Sequence, residues 1–117
     1  MTNDQPRTWF IDFDGTLVTQ KSHMSSQDTI LYGTKNFFEN IIKKEDYVII
    51  TTARDCEYKE RIEQFFRLHN LKFDLIICNL PTGSRILIND KKTDGVFTAY
   101  AYNLERDKGI DTSLFEW

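Results

Sequence analysis

The chain has little of several things that would settle its class quickly. Only two of its 117 residues are cysteine, Cys56 and Cys78, and neither has a second cysteine at metal-ligand spacing. That excludes a zinc ribbon and a disulfide scaffold, and both are read as reduced thiols. No apolar run approaches the ~20 residues that cross a bilayer, and the polar residues 1–7 lack the apolar core of a secretory signal. A cytoplasmic protein with no membrane contact is expected. Basic charge is not in excess either. Fifteen lysines and arginines stand against 18 acids, for a net charge of -3 and a pI near 5.3. Nothing draws the whole chain to a polyanion, so nucleic acid is disfavoured as a partner, although a local basic patch stays open. Repeats and low-complexity tracts are absent. What remains, 40% hydrophobic and 28% charged, is ordinary globular composition. The length suits one domain over residues 1–117, with a flexible start at 1–7 and no room for a second module.

Four short apolar runs follow one another, at residues 8–13, 47–52, 74–78 and 85–89, with a fifth candidate at 97–104. Most lack polar alternation, as strands buried on both faces do. Between the first two, residues 34–44 place Phe37, Phe38, Ile41 and Ile42 on one helical stripe. Between the second and third, residues 55–70 do the same with Tyr58, Ile62, Phe65, Phe66 and Leu68. Asp55 suits an N-cap and Asn70 a C-terminal stop. His69 belongs to the end of that helix. Strands alternating with helices predict right-handed crossovers and a parallel sheet, with ligands gathering at the carboxyl ends of the strands.

Asp12, Asp14, Thr52 and Asp90 all fall at or just after such ends, so residues far apart in sequence are expected to share one crevice. The run Asp12-Phe13-Asp14-Gly15-Thr16 is the most informative. Alternate residues of a strand share a face, so the two carboxylates start out pointing the same way, and Gly15 lets the chain turn sharply beyond them. Two like charges so close need something positive between them. Mg²⁺ typically binds through one or two carboxylates plus substrate phosphate, which fits the pattern.

Those residues resemble the first motif, Asp-x-Asp-Gly-Thr, of the haloacid dehalogenase superfamily. The resemblance implies an α/β fold, a Rossmannoid three-layer sandwich around a mostly parallel five-stranded sheet, without a cap domain. It makes Asp12 the nucleophile that forms an aspartyl-phosphate and Asp14 the general acid and base. An acid at this second position is typical of the phosphatase branches. Residues 49–54 look like the second motif, with Thr52 as the hydroxyl residue, Ala53 in the usual glycine position and Arg54 after it. Thr52, with Gly15, Thr16, Ala53 and Arg54, is then expected around the phosphoryl group. Residues 86–94 resemble the acidic fourth motif, with Asp90 as metal ligand, Asn89 where many members have glycine or a first aspartate, and Asp94 as either distal acid or turn former. Mg²⁺ would be held by Asp12, Asp90 and the Asp14 carbonyl.

The third-motif lysine is missing. Arg85 is the expected substitute, with Lys91 and Lys92 as rivals. Residues 17–33 match the place of a flap, where His23 reads more readily as a solvated loop histidine than as a catalytic one. The implied activity is Mg²⁺-dependent phosphomonoester hydrolysis by Asp12, Asp14, Thr52 and Arg85. A small phosphate ester, such as a sugar or amino-alcohol phosphate, is favoured over a phosphoprotein or nucleic-acid end. A second copy of the chain could wall an open site. Residues 80–90 also look like short family members from polysaccharide-synthesis and phage settings. Two rival classes are a phosphate- or metal-binding module without turnover and a receiver domain, the latter opposed by the first motif.

Overall fold

In the computed structural model, residues 5–20, 24, 25 and 27–116 are described. Among these residues three strands form the sheet: β1 (Thr8–Asp12), β2 (Tyr47–Thr51) and β3 (Leu75–Ile77), all parallel and in the order β1-β2-β3. Helix α1 (Thr34–Asn40) joins the first pair and α2 (Lys59–Leu68) the second, so β1 and β2 each feed a crossover helix as the periodicity predicts. Asp55 caps the 3₁₀ turn Cys56–Tyr58 that leads into α2, accepting from Glu57 N–H at 3.0 Å. Asn70 ends the helix in the left-handed region, at φ 55°.

Both crossovers step the same way across the sheet, so right-handed connections put both helices on one face. That face carries Ile11, Val48, Ile50 and Ile76, all buried against Phe37, Phe38, Ile62 and Phe66. Aromatic edges fill the layer: Phe13 meets Phe65 at 5.3 Å and 84°, and Phe37 meets Phe115 at 5.0 Å and 66°. Leu68, two residues past Phe66, points the other way and is exposed, contrary to the predicted stripe. Asp46 is buried beside α1 and accepts from the main-chain N–H of Arg7 and Lys43 and from Trp9 Nε1, at 2.9–3.0 Å. Arg7 therefore belongs to the fold, while residues 1–4 lie outside the described part.

The expected sheet of five strands buried on both faces is not what the described residues form. Opposite the helices, the register row Phe10, Ile49, Leu75 leaves Phe10 and Leu75 exposed. Residues 85–89 and 97–104 carry no strand. Residues 89–98 instead turn back on themselves: Lys92 N–H donates to Val96 O at 3.0 Å, Asn89 Nδ2 to Thr98 Oγ1 at 2.7 Å, and Thr98 Oγ1 to Asp90 O. Among the described residues the run that reads as a fourth strand has no ladder partner, and Ile86 and Ile88 face solvent.

Cys56 and Cys78 are joined, which corrects the reading of two reduced thiols. The tail of β3 crosses the tail of β2, with Asn79 N–H donating to Arg54 O at 2.7 Å and Leu80 N–H to Thr52 O at 3.1 Å. That crossing holds the two Cα atoms 5.2 Å apart, within disulfide range. A spacing of 22 residues does not reveal such a meeting. The last segment docks beside α1, where Gly109, at φ +82°, lies so near the Tyr32 carbonyl that a Cβ would stand 2.1 Å from its oxygen. Among the described residues no helix is long and apolar enough to cross a membrane.

Candidate active site

Asp12 is the last residue of β1, and the chain beyond it wraps one carbonyl. The N–H groups of Thr16, Leu17 and Val18 all donate to Phe13 O, at 3.3, 2.9 and 3.2 Å, and Gly15 N–H donates to Val18 O at 2.7 Å. Gly15 takes φ +81°, which favours a residue without Cβ. The Phe13 ring sinks fully into the core, and alternation turns Asp12 and Asp14 the other way, toward one cavity.

The two carboxylates have different surroundings. Asp12 is 46% exposed, accepts from Thr16 Oγ1 at 3.3 Å and lies 4.0 Å from an Arg85 guanidinium nitrogen. Burial pushes its carboxyl above the ordinary value, with the Asp14 charge adding to the rise, while the Thr16 hydrogen bond and Arg85 pull it down. Asp14 is 16% exposed and clamped. Arg54 Nε reaches both its oxygens at 3.1 and 3.0 Å, a terminal guanidinium nitrogen reaches Oδ1 at 2.7 Å, and Thr52 Oγ1 donates at 3.4 Å. That terminal nitrogen also donates to Asp28 at 2.6 Å, bridging the two acids, and Arg61 Nε donates to the Asp28 carboxylate at 3.0 Å. Burial alone would lower the Arg54 pKa, but the two carboxylates outweigh it and hold the guanidinium above its ordinary value. Its carbon lies 5.0 Å over the Phe13 ring, so the same arginine packs on the core and fixes Asp14.

Asp12, Asp14, Gly15, Thr16, Ala53, Arg54 and Arg85 line one cavity of about 670 Å³. Thr52 is not among its walls. It is fully buried under Asp14, donating to that carboxylate and accepting from Arg54 N–H at 3.0 Å. Asn89, Asp90, Lys91 and Asp94 stand apart in the exposed turn. Asp94 accepts from Val96 N–H at 3.0 Å, a turn-forming role, and Lys91 lies over the Phe97 ring at 5.0 Å. His23 falls outside the described residues. Sequence reasoning missed Asp28 and Arg61, and also Gln20, Leu104 and Arg106 on the cavity wall. Gln20 and Asp28 fall within the stretch 17–33 read as a flap, Arg61 within the predicted helix and Leu104 at the end of the fifth candidate run, but no spacing inside those segments singles any of them out for the site.

The donor set fits a hard divalent cation in a sparse way. Among the described residues no three acids, histidines or cysteines gather as a metal group. Asp12 is open to the cavity, and its charge is disfavoured by burial, so a cation beside it would be welcome. One carboxylate and a main-chain oxygen, with water and substrate oxygens completing the shell, is a usual way to bind Mg²⁺.

The family model of haloacid dehalogenase-like hydrolases matches residues 9–108, nearly the whole chain, including both carboxylates and the cavity wall. The chain belongs to that family and is a hydrolase-type protein of it. No curated protein and no solved structure matches the chain significantly.

Proposed function

We propose that this chain is a Mg²⁺-dependent phosphomonoesterase that acts on a small phosphorylated metabolite, such as a sugar or amino-alcohol phosphate, through an aspartyl-phosphate. The observation that carries this reading is the pair of carboxylates at one cavity, Asp12 open and Asp14 clamped. An Asp12 oxygen attacks phosphorus in line. The ester P–O bond breaks with its electron pair on the alcohol oxygen, and Asp14 delivers the proton that oxygen needs. Asp14 then accepts a proton from water as the water oxygen attacks the aspartyl-phosphate, releasing inorganic phosphate and restoring the Asp12 carboxylate. Arg54 and Thr52 act through Asp14 by fixing its orientation. Arg85, across from Asp12, is suited to the phosphoryl oxygens. Mg²⁺, held by Asp12 and the Asp14 carbonyl, would neutralise charge on those oxygens when bound. A cavity of about 670 Å³ suits a small ester better than a bare phosphate ion.

The placement of Asp90 in the exposed turn, away from the cavity, favours a second reading, a phosphate-binding module without turnover. The test is inorganic phosphate release from sugar, amino-alcohol and aryl phosphates, nucleotides and phosphopeptides, with Mg²⁺ or EDTA, for the native protein and Asp12→Asn. Release that needs both Mg²⁺ and Asp12 is the expected result. Silence across the panel from folded protein supports the binding module.

A further inference from the structure

Among the described residues, Arg106 is the one guanidinium on the cavity wall that neither Asp12 nor Asp14 engages. Arg54 is held by Asp14 and Asp28, and Arg85 stands opposite Asp12. No carboxylate among the described residues pairs with Arg106. Its position is nevertheless built. Its Cγ and the Gln20 Oε1 atom each stand 3.0 Å from where a Cβ on Gly15 would be, so its stem lies across the turn that carries Asp14. The next residue fastens it there. Asp107 N–H donates to Gly15 O at 2.9 Å, and Asp107 Oδ1 accepts from Gln20 N–H at 2.6 Å. Asp107 adopts φ 64°, an unfavourable conformation for a residue with a Cβ, and these two hydrogen bonds hold it. Leu104 and Tyr58 supply the nearby apolar wall.

We infer that Arg106, with Gln20 beside it, is a recognition subsite for a second anionic group on the substrate, a carboxylate or a second phosphate. The inference deepens and rests on the phosphatase reading, which accounts for the first phosphate at Asp12. A guanidinium fork matches both oxyanions, and an unpaired one on a cavity wall has its donors ready for a ligand. The cavity volume leaves room for a short carbon skeleton between the two groups. The substrate class is therefore a phosphomonoester bearing a further carboxylate or phosphate, with the leaving oxygen toward Asp14 and the second anion toward Arg106.

The test is titration calorimetry in Mg²⁺ with non-hydrolysable probes: propylphosphonate, phosphonopropionate, which has a carboxylate in place of the terminal methyl, and ethylenediphosphonate. The native protein is expected to bind at least one of the two dianchored probes about tenfold more tightly than propylphosphonate, the scale of a charge-assisted pair. In Arg106→Gln that preference collapses toward parity, and Arg106→Lys restores part of it. Lys108→Gln, a change at an exposed neighbour off the cavity wall, keeps it. Which probe gains identifies the second group. Equal binding of all three probes, no binding of any, or a preference that survives Arg106→Gln overturns the subsite. Turnover of an aryl phosphate is scored separately, so a preference without turnover defeats the phosphatase reading alone, and turnover without a preference defeats the subsite alone.

Discussion

Ile50 and Ile88 are both isoleucines in short apolar runs, yet Ile50 is fully buried and Ile88 is 90% exposed. Ile50 pairs with Ile11 on one side and Ile76 on the other, and its face is covered by both helices. Ile88 lies next to a turn bonded to itself, with no ladder beside it among the described residues. The same composition thus yields a strand only where neighbours satisfy its backbone and a helix covers its side chains. The chemistry divides along the same line. The carboxylates Asp12 and Asp14 rise from the packed half, and Asp90 and Asp94 stay in the exposed stretch.

Substitutions should fall into two groups across that line. Phe66→Ala, which empties a fully buried ring site touching Phe13, Phe38, Phe65 and Phe73, is expected to cost about 3–5 kcal/mol in urea unfolding. Removing the Cys56–Cys78 cross-link by paired serines should cost about 3 kcal/mol, given the 22 residues it spans, and dithiothreitol should lower the native protein to the same level. A melt unmoved by reductant would mean that hydrogen bonds alone hold the β2 and β3 tails together.

Asp46→Asn is expected to cost about 1–3 kcal/mol at neutral pH, because an amide cannot accept from Arg7, Lys43 and Trp9 together. Burial alone would raise the Asp46 pKa, but those three hydrogen bonds outweigh it and hold the carboxyl below its ordinary value. A depressed native pKa means stability that is present above the unfolded value and lost as pH falls through the native one. The difference between native and Asp46→Asn proteins should therefore shrink as melts are taken into the acid range below about pH 4. At the small end, Ile88→Ser in the exposed stretch should stay within about 0.5 kcal/mol of the native protein. A loss comparable to Phe66→Ala would show that residues 85–89 are packed after all.

The readable part of the fold was the part with two signals at once. Residues 8–12, 47–51 and 75–77 combine apolar runs with helical stripes between them, and they became β1, β2 and β3. Residues 85–89 had the run alone. Pattern reports what a segment would bury, and whether a partner is there to bury it against is a property of the whole chain. The candidate site divides in the same manner. Asp12, Asp14 and Gly15 announce themselves by spacing and share a cavity with Arg54 and Arg85. Thr52 was legible as a strand-end hydroxyl, but burial gave it Asp14 as its partner. Asp28, Arg61 and Arg106 reach the site through side-chain pairing and a docked segment, contacts made across 26, 33 and about 90 residues, where no local periodicity leaves a mark. The Cys56–Cys78 bond was missed for the same reason.

The most direct test of the central claim is to quench the protein in acid during turnover of its best ester and to locate the phosphoryl group by mass spectrometry of peptides. A labile phosphoryl group is expected on the peptide containing Asp12, and both it and phosphate release should be absent in Asp12→Asn. Phosphate release at the native rate from Asp12→Asn, or turnover with the phosphoryl group on another residue, would contradict it.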